Sequence, residues 1–138
     1  MIHYFSAINW VSVAIAFAVY CILGGLWFTL FFKKPYAISL GKENQLPPKL
    51  APIFIIGPAI CSLVITIATA LLMVALHIET YQTAMVFAGI VGIGYLFANT
   101  VNIAINPNIP KPILYGIISG MYHLVCITLV CVIIVAMH

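Results

Sequence analysis

Arginine is absent from the 138 residues, and the only formal charges are five lysines (Lys33, Lys34, Lys42, Lys49 and Lys111) and two glutamates (Glu43 and Glu79). Without arginine there are no guanidinium forks for phosphate, no arginine-lined groove for nucleic acid and no voltage-sensing array, so nucleic acid is not an expected partner. Charged residues make up 5% of the chain, against roughly a quarter in soluble domains. So few charges cannot solvate a globule of this size, which excludes a soluble fold. Carboxylates are also missing from every long apolar run, so paired-acid catalysis, an HExxH zinc site and antiport through a membrane-buried acid lack their residues. Cys21, Cys61, Cys126 and Cys131 lie inside apolar runs with no CxxC spacing, and they read as small buried hydrophobes. No metal, cofactor or catalytic set is expected. The N-terminus has no basic n-region, and the apolar stretch that follows is too long for a cleaved signal, so it reads as a retained helix.

What the chain does have is hydrophobicity, at 65% of residues, gathered into four blocks at about 7–32, 53–77, 83–105 and 112–137. Each reaches the length of about 20 residues that crosses a hydrocarbon layer of about 30 Å. The expected fold is all-α: a polytopic four-transmembrane-helix bundle with short loops, one transmembrane domain over residues 1–138, with the lipid bilayer as its surroundings. The first loop, 33–52, carries four of the lysines, and its run YAISLGKENQLPPKL suits a short interfacial helix stopped by Pro47 and Pro48. The second is very short and holds Glu79 without lysine. The third, NPNIPKP at 106–112, is stiffened by three prolines and holds Lys111.

Loops one and three share a side, so all five lysines fall together, and the positive-inside rule puts that side in the cytoplasm with both termini outside. Aromatic residues agree, with Tyr4, Trp10 and Tyr81 in an outer belt and Trp27, Tyr36 and Tyr115 in an inner one.

Helices in lipid associate through small residues and polar side chains. The fourth block has Gly116-x-x-x-Gly120 with Ser119 and His123 on the same face, the third has Ala88-x-x-x-Gly92 with Gly89 and Gly94, and the first has Ala14-x-x-x-Ala18. His123 lies eleven residues beyond Pro112, about 16 Å into the layer at about 1.5 Å per residue, which is the midplane. Tyr20, Thr66 and Tyr95 fall near that depth, and with Ser119, Tyr122 and Asn99 they form the candidate polar site. Asn99, Asn102 and Asn106 follow one face toward the lysine side. Two readings of His123 stand side by side: a hydrogen-bonded imidazole that fixes helix register, or an ionisable group held at mid-depth for proton or solute passage. Ser119 with His123 lacks the orienting acid of a hydrolase. His3, His77 and His138 sit at ends or in the short loop and are assigned no role.

The opening INWVSVAIAFAVYCILGGLWFTLFFKKPY, with Asn9, Trp10, Gly24, Leu26, Trp27, Phe28, Lys34 and Tyr36, resembles a bacterial membrane family known as domain of unknown function seventeen sixty-one. That family begins with Asn-Trp and closes its first helix on Gly-x-Leu-Trp-Tyr before a Lys-aromatic step. Phe28 and Tyr36 stand where it has Tyr and Trp. The close LYGIISGMYHLVCITLV resembles its last helix, with the Tyr-His-Leu step at Tyr122, His123 and Leu124. The resemblance implies a four-helix protein of the bacterial inner membrane and supplies no activity.

Two functions fit these residues. The first is solute or ion permeation at a mid-membrane polar site, formed between the protomers of a homo-oligomer through the glycine faces. The alternative is a non-transporting interaction, assembly or protective protein that engages a protein partner or anionic lipid through the loop at 33–52.

Overall fold

The computed structural model describes residues 2–46 and 51–138, so Pro47, Pro48 and Lys49 lie outside the described residues. Among the described residues five α-helices follow one another. Four are long and apolar enough to cross a membrane: α1 (Trp10–Phe31), α3 (Ile53–Ala75), α4 (Tyr81–Ala104) and α5 (Pro112–Ala136). The fifth, α2 (Lys33–Ser39), is the short helix expected in the first loop.

Helix ends fall where the local chemistry puts them. Asn9 caps α1, its side-chain oxygen accepting from the amides of Val11 and Ser12 at 3.1 and 3.3 Å, so the helix starts at Trp10. Helix α2 is ended by Gly41 rather than by the downstream prolines. With Gly41 at φ 65°, its N–H reaches Ile38 O and the Lys42 N–H reaches Ala37 O, the paired bonds of a Schellman motif. Thr80 caps α4 by accepting from the Thr83 amide, and Pro112 opens α5, where its missing N–H has no intrahelical partner to lose.

The end of α3 repeats the Schellman bonds, His77 N–H to Val74 O and Ile78 N–H to Met73 O, but here the left-handed position at φ 53° is held by His77. A side chain there costs about 1–2 kcal/mol relative to glycine, and a β-branched one is worse. His77→Gly is expected to unfold at a higher temperature than wild type and His77→Val at a lower one, by thermal melting in detergent. The reverse order would show that the His77 ring, not its backbone, matters.

Helix α5 is the most buried of the four spans and packs against all the other helices, whereas α4 is the least buried and packs chiefly on α5. Glycine sets these contacts. A Cβ on Gly116 would sit 3.3 Å from the Val101 backbone, one on Gly120 would sit 2.5 Å from the Phe97 ring, and one on Gly92 would overlap Leu124 and Ile127. The Gly116-x-x-x-Gly120 face is therefore filled by α4 of the same chain, and no second protomer can use it. Gly25, Gly89 and Gly94 have nothing within 4 Å of a built Cβ. Ala14 and Ala18 also face outward, while Ser12, Val13, Ala16 and Tyr20 form the buried side of α1.

Two segments, Trp27–Phe31 in α1 and Gly92–Phe97 in α4, widen into π-helix. Such bulges rotate the residues beyond them relative to those before. At the lysine end the Lys111 N–H donates to Ser39 O at 3.2 Å, tying the α4–α5 loop to α2. At the opposite end Asn9 Nδ2 donates to Met137 O at 2.8 Å. Cys126 and Cys131 are buried as expected, but Cys61 is exposed because it lies on the outer face of α3 beside Ile60 and Val64.

Candidate functional site

The polar layer between α1 and α5 begins with Tyr20, which is 1% exposed and whose hydroxyl lies 2.8 Å from Nδ1 of His123. With tyrosine donating, Nδ1 accepts and the ring proton sits on Nε2. One residue back on α5, the Tyr122 hydroxyl donates to the Tyr20 carbonyl at 3.3 Å. Its oxygen occupies the space above Gly24, where an added Cβ would come within 2.6 Å. The Tyr20 and Tyr122 rings meet edge to face with centroids 5.6 Å apart, and the His123 ring lies 4.9 Å from that of Tyr122. These contacts fix the rotation and height of α1 on α5.

Of the residues expected at this site, Tyr20, Tyr122 and His123 are brought together. Thr66 is fully buried in α3 but donates to the Ser62 carbonyl of its own helix at 2.8 Å, so it makes no cross-helix bond. Ser119 is 5% exposed and sits one turn before His123, and its Oγ is the one buried side-chain nitrogen or oxygen without a hydrogen-bond partner among the described residues. Other hydroxyls in the spans bond back to their own helix, as Thr29, Ser62, Thr69, Thr100 and Thr128 do. Tyr95 and Asn99 are not part of the layer. Tyr95 is 70% exposed and Asn99 is exposed beside it, both on the outer side of α4. Asn102 is exposed as well, and Asn106 leaves the helix to shape the next turn, donating to Ile103 O and accepting from the Asn108 amide.

Among the described residues, a surface hollow of about 320 Å³ around Gln82 and Phe87 and another of about 280 Å³ around Tyr4, His77 and His138 lie at the Glu79 end. Neither is lined by Tyr20 or His123. Among the described residues no three His, Cys, Asp or Glu side chains are placed to share a metal ion.

A family model described as Protein of unknown function (DUF1761) matches residues 11–135, nearly the whole of the four spans. The chain belongs to that family. No curated protein and no solved structure matches it. In this DUF1761 chain the residues that carried the resemblance have structural work at three depths. Asn9 bonds across to the end of α5, Gly24 receives Tyr122, and Trp27 Nε1 donates to Ile118 O at 3.1 Å. Trp10, by contrast, is half exposed at the Glu79 end.

The inner aromatic residues of the DUF1761 chain differ from a simple interfacial belt. Trp27 turns inward to its hydrogen bond and stacks on Phe32 at 4.6 Å, and Phe28 links Tyr122 to Tyr36, which in turn meets Tyr115 at 5.6 Å. Burial, with the Tyr115 hydroxyl close by, pushes the Tyr36 phenol above its ordinary range. The chain of rings runs without a gap from His123 to α2, so α2, at the start of the first loop, is held on the bundle. The sequence signal for this cluster is the aromatic density of 27–36, of which Trp27 and Tyr36 are expected in the inner aromatic belt.

Proposed function

We propose that this protein works as a membrane-embedded interaction or assembly protein, docking through the outer face of α4, rather than as a conduit. The observation that carries the reading is the placement of Tyr95 and Asn99. At about 1.5 Å per residue they lie about 14 and 8 Å in from the end of α4 at Ala104, inside a hydrocarbon layer of about 30 Å. The side-chain hydrogen bonds of α4 are those of Thr80, Thr83 and Thr100, so among the described residues neither the phenol nor the amide has a partner. Lipid tails offer none, and an unsatisfied amide in hydrocarbon is costly by several kcal/mol. A protein surface laid against α4 satisfies both. The Tyr20 hydroxyl and His123 Nδ1, in contrast, are bonded to each other and pin two helices, which suits a scaffold.

The positive-inside rule supports an orientation with Lys33, Lys34, Lys42 and Lys111 in the cytoplasm and both termini outside, in the inner membrane that the family resemblance implies. The exposed lysines add attraction for anionic headgroups on that side.

A nitroxide attached at Ala98→Cys, in the middle of the outer face, tests the docking reading in bilayers. Shielding from lipid-dissolved oxygen is the expected result, and accessibility equal to that of a label at Ile60 on α3 would contradict it.

A second reading, permeation along the α1–α5 layer, is favoured by the orphan hydroxyl of Ser119 one turn from His123. Ion or proton flux into protein-containing vesicles that disappears in His123→Leu would support that reading and overturn the first.

A further inference from the structure

Resting on the docking reading, we infer that the partner of the α4 outer face is a second copy of this chain, related by a two-fold axis along the membrane normal. Three features of the face point to a like partner. Its hydrogen-bonding groups are self-complementary: an amide both donates and accepts, so Asn99 facing its counterpart across a two-fold axis forms a reciprocal pair, and the Tyr95 hydroxyl one turn away also does both. No formal charge stands on the outer face between Gln82 and Asn108, so two identical faces meet without repulsion. Gly94 and Ala98, at i and i+4 beside the two polar residues, are exposed, and nothing lies within 4 Å of a Cβ built on Gly94. Two copies of α4 can therefore approach closely enough for side chains as short as asparagine to meet.

The other exposed faces lack this combination. The outer side of α3 presents Ile53, Ile56, Ile60 and Val64, which lipid solvates without loss. The outer side of α1 has small residues in Ala14, Ala18 and Gly25, but its polar group, Thr29, is already bonded to the Gly25 carbonyl. The α5 glycines are filled by α4. Helix α4 is also the least buried span and has its own chain on one side only, so a second copy completes its packing.

The test uses the full chain in bilayers, with two differently tagged copies co-expressed and with Cys61→Ala to remove the exposed thiol. Ala98→Cys oxidised in the membrane should give a disulfide-linked product containing both tags. Asn99→Leu should lower the linked fraction on the order of fivefold to tenfold, the loss of two interhelical hydrogen bonds of average strength, and Asn99→Gln, which keeps the amide, should retain more of it. A face shielded from oxygen yet giving no product with both tags would overturn the second copy while leaving docking to another protein in place. A face open to oxygen and giving no product would overturn both. An unchanged linked fraction in Asn99→Leu combined with Tyr95→Phe would show that the polar pair does not hold the copies together.

Discussion

Gly120→Val is expected to detach α4 from α5 and to lower stability by about 3 kcal/mol, the upper part of the range for overpacking a close-fitted site. The Phe97 ring already occupies the place where the new Cβ would stand, at 2.5 Å from Cδ2 and 3.1 Å from Cγ. That ring cannot swing away cheaply, because it is held on the π-helical segment Gly92–Phe97 and α4 has little other support. Helix propensity works in the opposite direction, since replacing glycine by a residue with a side chain gains up to about 1 kcal/mol in a helix. Gly89→Ala, with nothing within 4 Å of its built Cβ, gains that term without the clash and should melt no earlier than wild type. Thermal or denaturant unfolding in one detergent compares the two. Equal stabilities would mean that the α4–α5 contact is softer than the glycine fit implies.

The second large effect concerns the bond between α1 and α5. His123→Leu leaves the Tyr20 hydroxyl, in a residue 1% exposed, without an acceptor, and an unsatisfied buried hydroxyl costs about 1–3 kcal/mol. Tyr20→Phe removes the same bond from the other side and leaves Nδ1 without a donor. The double variant removes both groups and should be more stable than the sum of the two single losses predicts, with a coupling of about 0.5–2 kcal/mol. Additive losses would mean that the two side chains act separately and that the 2.8 Å contact does not fix the helices.

How far the fold is legible in the sequence follows from what lipid makes visible. Run length and the scarcity of charge locate the four spans, because a helix that crosses about 30 Å of hydrocarbon leaves a block of about 20 apolar residues. The Gly116-x-x-x-Gly120 pattern correctly marks a close contact, though not that α4 of the same chain fills it. Rotation about each helix axis is the missing information. In water an apolar stripe marks the inward face, but these helices are apolar all round and the usual periodicity is nearly silent. Polarity then becomes an ambiguous guide. Tyr20, Tyr122 and His123 turn into the bundle and meet, whereas Tyr95, at a comparable depth, and Asn99, nearer the lysine end, turn out. The π-helical segment at Gly92–Phe97 contributes, since it shifts the face on which the following residues lie, and no residue pattern announces it. The position of Trp27 is hidden for a related reason. Its place near the end of a span suggests an interfacial anchor, while its indole N–H is taken by the Ile118 carbonyl.

Two sets of polar side chains within the spans therefore differ in where they face. One, at Tyr20, Tyr122 and His123, holds the chain's own helices in register. The other, at Tyr95 and Asn99, is turned out of the bundle, with no hydrogen bond to its own chain among the described residues. Thermal unfolding of His123→Leu and Asn99→Leu, in the same detergent and at a dilution where wild type is monomeric, tests that division most directly. The account predicts that His123→Leu melts well below wild type while Asn99→Leu melts with it, because the leucine at 99 replaces an exposed amide that makes no hydrogen bond to its own chain among the described residues. An Asn99→Leu protein that melts early, beside a His123→Leu protein as stable as wild type, would contradict it.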